Sequence, residues 1–280
     1  MLAELPKYSV LMSLYVKEKP EYLRLAIDSM LNQTVKPDEI VIVEDGPLTD
    51  SLYDVLDEYK AKYPQIVRTI KNEKNLGLGL ALNVGLKECK NELVARMDTD
   101  DISKPDRCEK QLKVFAENLN LDIIGGNISE FIDTIDNKVG ARIVPQTDSE
   151  IKDYLKKRCP FNHMTVMFKK DSVLKAGNYI DWFWNEDYSL WIRMYLANMM
   201  FANIPETLVD VRVGKDMYNR RGSWKYFKSE AGIQRFMLKN GIISLHLYLF
   251  NTSIRFCLQV LMPNWLRGLI FQKFARTQIA

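Results

Sequence analysis

Residues 93–101 read LVARMDTDD, a largely apolar run that passes without a break into Asp98, Asp100 and Asp101. A short apolar run closed by polar residues reads as a buried strand of a parallel sheet. Carboxylates at its C-terminal end then stand where open α/β sheets bind their ligands. Outward from this strand, the first hundred residues alternate strand-like and helix-like segments, the mark of repeated βα units. Strands are expected over residues 8–13, 40–46 and 66–70, and helices over 21–32, 52–63 and 79–89. Leu23, Ala26, Ile27, Met30 and Leu31 recur at helical spacing behind Pro20, which suits a first helical turn. The strand ends offer Ser13, then Glu44 with Asp45, then Asp98 with Asp100, and these converge on one edge.

Further along, strand-like segments recur over residues 121–144. A helix is expected over 149–157, a strand over 163–168 and a helix from Glu186. The stretch 224–280 reads as two or three helices broken at Gly241 and Pro263.

The chain has 280 residues, 47% hydrophobic and 27% charged, so disorder and fibrous classes are excluded. Its four cysteines lie far apart without a CxxC pair, which argues against a zinc knuckle or a secreted disulfide framework. The N-terminus does not look like a signal peptide, because Glu4 precedes a short apolar run. Charge is uneven. No Asp or Glu occurs after Glu230, while Arg235, Lys239, Arg255, Arg267, Lys273 and Arg276 do. These six cations leave 33 basic against 36 acidic groups before them, so a basic, apolar tail succeeds a mildly acidic body.

Asp98-Thr99-Asp100 places two carboxylates on one side of an extended chain, where they can hold a hard divalent cation such as Mg²⁺ or Mn²⁺. Such a cation suits a nucleoside diphosphate. The same acids also suit a cap, since Asp101 and Ser103 with Pro105 would start a helix. Glu44-Asp45-Gly46 is a second acidic strand end, able to bind a base or ribose or simply to cap a turn. Glu186-Asp187 opens a helix in an aromatic surround and fits a general base or a dipole-favoured cap. Trp182, Phe183, Trp184 and Trp191 read as plain core. Asn75-Leu76-Gly77-Leu78-Gly79 lacks both the GxGxxG and the Lys-Ser/Thr signatures, so dinucleotide and P-loop readings fail.

The blocks YSVLMSLY, SMLNQTVKPDEIVIVEDG, NLGLGLALNVGL, ARMDTDDISKPDR and NEDYSLWIRM succeed one another over residues 8–194. In that order they resemble the family 2 glycosyltransferases. CPFNHMTVMFKKD and RVGKDMYNRRGSWKY resemble the bacterial branch that builds capsule, exopolysaccharide and O-antigen repeat units. The resemblance implies an α/β GT-A fold, a Rossmann-like, mixed and mainly parallel sheet flanked by helices, with a C-terminal helical appendage. It implies that Ser13 and Tyr15 line a uracil pocket and that Asp45 reads the uracil ring. Asp98 becomes the first acid of a DXD motif near ribose and phosphate, Asp100 the direct metal ligand, and Asp187 the catalytic base. Glu186 and His163 are implied in the acceptor site, and Arg220 and Arg221 as a diphosphate clamp. Many relatives carry Ala-Arg-Asn where this chain has Ala81-Leu82-Asn83, so that arginine's contact is missing or supplied elsewhere.

The expected protein is an inverting, Mn²⁺- or Mg²⁺-dependent enzyme moving a hexose, by branch galactose, from a UDP-sugar to a lipid-linked saccharide. Its GT-A domain would span residues 1–223. Residues 224–280 would form the basic helical region. Residues 242–263 approach membrane-spanning length, but His246, Asn251, Arg255 and Gln259 interrupt them. Trp265, Leu266, Leu269, Ile270, Phe271 and Phe274, interleaved with cations, suit an in-plane helix on anionic lipid or a helix packed on the body. The protein is thus expected in the cytoplasm, peripheral at the inner face of the plasma membrane. No nucleic-acid signature accompanies the cations. The alternatives are a non-catalytic carbohydrate-binding or assembly subunit and a sugar nucleotidyltransferase. The latter class usually carries a glycine-rich basic phosphate loop, which YSVLMSLYVKEKP lacks.

Overall fold

The computed structural model describes residues 5–214 and 223–263. Three βα units come first: β1 (Tyr8–Leu14) and α1 (Pro20–Leu31), β2 (Glu39–Glu44) and α2 (Asp50–Lys62), β3 (Val67–Lys71) and α3 (Leu78–Glu88). β4 (Leu93–Arg96) leads through the short β5 (Ile102–Ser103) into α4 (Arg107–Glu117). The next segment holds β6 (Leu121–Phe131), β7 (Lys138–Arg142) and α5 (Asp148–Leu155). After it come β8 (Met167–Lys169), α6 (Lys170–Lys175), α7 (Glu186–Leu196) and β9 (Met200–Arg212). Two further helices, α8 (Trp224–Lys239) and α9 (Leu245–Phe256), lie beyond residue 223.

The strands of the described residues form one mixed sheet in the order β3-β2-β1-β4-β8-β6-β9-β5, with β7 on β6. β3, β2, β1 and β4 run parallel, and their registers bring Leu14 beside Glu44 and Leu11 beside Arg96. The acidic strand ends therefore do share one edge. Alternation along the strands builds a core on each face. Val10, Met12, Leu14, Ile40 and Ile42 pack with apolar residues of α1, α2 and α4. Leu11, Val41 and Val43 pack instead with Ala81, Leu82 and Leu86 of α3 and with Leu190 and Trp191 of α7.

Two segments depart from the sequence expectation. Residues 163–168 are not one strand: His163–Thr165 form a 3₁₀ turn and only Met167–Lys169 pair. The Thr165 hydroxyl donates to the Asn162 carbonyl at 2.7 Å and accepts from the Gly126 N–H at 3.1 Å, and such local bonds displace a ladder. The 13-residue β9 was not anticipated, because Pro205 and Glu206 break its alternation. There the register against β6 slips between Gly126 and Asn127, the signature of a bulge.

In the tail, Gly241 breaks the helices with φ +68°, and Ile233 and Met237 of α8 join the α5 and α7 core. No helix among the described residues is long and apolar enough to cross a membrane.

One contact decides how α3 sits on the sheet. A Cβ on Gly85 would lie 2.5 Å from both Leu11 Cδ1 and Val43 Cγ2. Gly85→Val should therefore lower the unfolding free energy by about 1–3 kcal/mol in urea denaturation, the usual cost of overpacking.

Candidate active site

The end of β4 is built around two buried guanidiniums. Arg96, 1% exposed, pairs through both terminal nitrogens with the two oxygens of Asp98, one bond at 2.6 Å. Arg107 on α4 donates to the carbonyl of Arg96 at 2.7 Å and so fixes the backbone from which the acids project. Beyond this point Asp98, Asp100 and Asp101 bring one carboxylate oxygen each within 4.8 Å of one another. Hard oxygen donors this close fit Mg²⁺ or Mn²⁺. Burial, then the charges of Asp98 and Glu18, pushes the Asp100 carboxyl up to about 7. Asp101 is raised well above the carboxylate range by burial and by Asp100. Acids held close enough to resist ionisation together favour a cation that relieves them.

Asp101 also accepts the Arg212 N–H at 2.9 Å, so the cap expected of it on α4 is replaced by a tie to β9. Glu18, after β1, accepts the Thr99 hydroxyl at 2.8 Å and faces the same acids. Neither role was legible in sequence, because both depend on segments more than 80 residues apart.

At the neighbouring strand ends Ser13 is half-buried in β1 and Tyr15 is exposed just beyond it. Asp45 is buried at the end of β2 and organises the loop into α3. Its Oδ1 accepts from Leu76 N–H at 2.8 Å and Asn72 Nδ2 at 3.1 Å, and its Oδ2 accepts from Gly77 N–H at 3.0 Å. A carboxylate oxygen has two acceptor sites, so Oδ2 keeps one for a further donor. Glu44 beside it is buried, with Lys71 Nζ at 3.8 Å. Gly46 turns the chain at φ +87°, where a Cβ would meet Asn75 N at 2.6 Å.

Glu186 and Asp187 begin α7, half-buried and within the field of Arg96. Gly79 of α3 lets α7 approach, since a Cβ there would come within 2.9 Å of Glu186 Cβ. Burial and the Asp187 charge push Glu186 up to about 7. Burial also raises Asp187, opposed by the Tyr188 N–H at 2.6 Å and by the charges of Arg96 and Arg142. The Cys159 thiol lies 3.6 Å from Asp187 Oδ2. Arg142 and Cys159 were not anticipated. His163 is buried, its Nε2 2.9 Å from the Tyr179 hydroxyl, and burial with the Arg96 charge holds it well below the usual histidine range, hence neutral. Leu82 is buried in the core. Arg220 and Arg221 lie outside the described residues.

Of the aromatics, Trp191 is fully buried and Trp182 packs on Phe236 of α8. Trp184 is not core: it is 47% exposed. Its left-handed backbone, φ +55°, turns it away from the packed face of α7.

The site thus holds an acid cluster at the end of a parallel strand and an acid pair at the start of a helix. The model of Glycosyl transferase family 2 matches residues 9–176. The chain belongs to the family 2 glycosyltransferases. It is 40% identical over 270 residues to the amylovoran biosynthesis glycosyltransferase AmsE of Erwinia amylovora, covering 95% of this chain and 98% of that one. It is 37% identical over 276 residues to the Escherichia coli UDP-Gal:alpha-D-GlcNAc-diphosphoundecaprenol beta-1,3-galactosyltransferase, covering 99% of each. In fold it resembles a mannosyltransferase from Pyrobaculum calidifontis in complex with GDP-Man and Mn²⁺. That likeness has a TM-score of 0.65 at 13% identity, over 98% of this chain and 74% of the other. The family 2 chain is thus a glycosyltransferase with a GT-A-like mixed α/β fold.

The raised Glu186 has a thermodynamic consequence. Folding lifts its pKa from 4.5 to about 7, so the stability it contributes is present below pH 4.5 and lost as pH rises through about 7. Glu186→Gln removes that loss, and its stability relative to the parent, measured by urea denaturation, should rise between pH 4.5 and 8 and then level off.

Proposed function

We propose that this family 2 glycosyltransferase moves a hexose, galactose by analogy with the Escherichia coli relative, from a UDP-sugar to a hydroxyl of a lipid-diphosphate-linked saccharide in surface-polysaccharide synthesis. The observation that carries the reading is the placement of two separate acid groups, Asp98 with Asp100 and Glu186 with Asp187, around the buried Arg96, which pairs with Asp98 and whose charge reaches both.

Asp187 accepts the proton of the acceptor hydroxyl as that oxygen attacks the anomeric carbon, and the bond to the diphosphate breaks on the opposite side. This single displacement converts an α-linked donor into a β-glycoside. A base with raised proton affinity suits the task, because proton transfer is best when its pKa nears the working pH. Mn²⁺ or Mg²⁺ held by Asp100, with Asp98 and Asp101 beside it, would offset the charge of the departing diphosphate. Ser13 and Tyr15 flank the uracil, and Asp45 accepts from its ring N–H through the remaining site on Oδ2. Asp98, fixed by Arg96, faces ribose and phosphate, and Arg220 and Arg221 clamp the diphosphate. Glu186 and His163 border the acceptor, with His163 acting as a neutral group.

Residues 1–223 form the catalytic unit in this reading, and residues 224–280 hold it against the anionic inner face of the plasma membrane. Leu245, Leu249, Phe250 and Ile254 are exposed on α9 while Asn251 is buried, and no Asp or Glu follows Glu230.

Asp187→Asn should lower kcat by about 10²- to 10⁴-fold, the usual share of general base catalysis, while calorimetric UDP binding with Mn²⁺ stays unchanged. Asp100→Asn should lose the Mn²⁺-dependent part of that binding. Retained turnover in Asp187→Asn would remove it as the base. A panel of UDP-sugars with a GlcNAc-diphosphate-lipid acceptor identifies the donor, and an α-linked product would rule out inversion.

The joint substitution Leu249→Glu with Phe250→Glu should reduce sedimentation with phosphatidylglycerol vesicles and leave transfer to a water-soluble acceptor intact. Unchanged sedimentation would take α9 out of the membrane contact.

A further inference from the structure

The loop before α7 presents an aromatic surface that the donor site and the core leave unused. Trp184 is 47% exposed at φ +55°, a conformation that aromatic residues rarely adopt. Strain of this kind persists only where the surroundings impose it. Here α8 imposes it. Ser229 on α8 accepts from Asn185 Nδ2 at 3.0 Å through its hydroxyl, and the same hydroxyl donates to the Phe183 carbonyl at 2.6 Å. The Ser229 carbonyl accepts from Trp182 Nε1 at 3.3 Å, and Asn185 N–H closes the turn on the Trp182 carbonyl at 3.0 Å. Residues 182–185 are therefore tied down at both ends.

The ring itself is supported from below. Phe183 stacks on Trp184 with centroids 5.1 Å apart and planes 10° from parallel. Lys225 Nζ sits 4.0 Å from the Phe183 centroid, and Tyr226 stands at 5.9 Å and 58° beside Trp184. Among the described residues Trp224 is also about half exposed, and its packing on Phe227 and Phe256 accounts for it.

We propose that Trp184 is the platform of an acceptor subsite that takes the apolar face of a pyranose ring. A sugar ring is apolar across its C–H face and polar around its rim, so it matches a rigid indole whose edges remain in water. Trp184 lies two residues before Glu186 and three before Asp187, so the platform and the base belong to the same loop-to-helix junction. The inference rests on the reading of Asp187 as the base for a saccharide acceptor.

The probe is N-acetylglucosamine α-diphosphate carrying a short alkyl chain, used in saturation-transfer NMR and in turnover with the UDP-sugar donor. Trp184→Gly suits the left-handed backbone and removes the ring. It should raise the acceptor KM about tenfold, equivalent to about 1.4 kcal/mol. Its kcat should change by less than about twofold and UDP affinity with Mn²⁺ should be unaltered, as for a contact made equally in ground and transition states. Trp184→Tyr should restore most of the affinity. An unchanged KM and unchanged saturation of the sugar protons in Trp184→Gly would overturn the subsite and leave the donor reading standing. So would an effect confined to a long-chain lipid acceptor, which would make Trp184 a lipid contact. Saturation of the sugar protons that depends on Trp184, in a protein that turns over no UDP-sugar, would uphold the subsite and overturn the donor reading.

Discussion

The pairing of Arg96 with Asp98 is the interaction on which the site depends. A guanidinium that is 1% exposed is tolerable only when its charge is met, because an unpaired buried ion is costly. Asp98 meets it with both oxygens. That bidentate contact spends the Asp98 carboxylate on orientation and leaves Asp100 as the acid with freer lone pairs. The backbone is held as firmly as the side chain, with Arg96 N–H on the Val166 carbonyl and Arg107 on the Arg96 carbonyl. β4 can therefore end abruptly in acids without fraying.

The same charge sets the electrostatics across the cleft. Arg96 opposes the burial-driven rise of Asp100, Asp101, Glu186 and Asp187, so one cation is shared among four carboxyls whose proton affinities burial would otherwise raise further. On His163 its effect adds to burial, and the imidazole is kept neutral. The bond between His163 and Tyr179 is accordingly one between neutral groups, a fixed strut rather than a titrating pair. The carboxyls of Asp187 and Asp100 thus share the charge of one residue that hydrogen-bonds to neither, and Arg142 adds to it at Asp187.

The parallel half of the sheet was legible because its signals are local: apolar runs, three-and-four spacing and acids at strand ends lie within windows of about a dozen residues. The DXD and Glu-Asp pairs were legible for the same reason. The hidden parts are those built by long-range pairing. β9 hides behind its Pro205 bulge, Glu18 reaches Thr99 across 81 positions, and Arg142 comes to Asp187 only when β7 folds back on β6. Trp184 was misjudged for a different reason. Aromatic composition argues for burial, and only the positive φ, which no composition encodes, turns the ring outward.

The loop that enters α7 takes its shape from helices that come later in the chain. Ser229 of α8 organises residues 182–185, and Gly232 lets α8 come close, since a Cβ there would lie 3.3 Å from Trp182. α8 therefore acts as the back wall of the loop that carries Trp184 into α7. α9 follows the usual amphipathic rule only in part. Its buried residue is polar: Asn251 donates to the Lys156 carbonyl and to Gln234, and Arg255 nearby pairs with Glu230. Leu245, Leu249 and Phe250 are exposed, while Leu247 and Tyr248 pack on the core. A helix anchored by hydrogen bonds and clad in apolar side chains gains nothing from water on that side. In the membrane reading proposed above that side rests on lipid, and the loop that α8 holds is then coupled to the same surface.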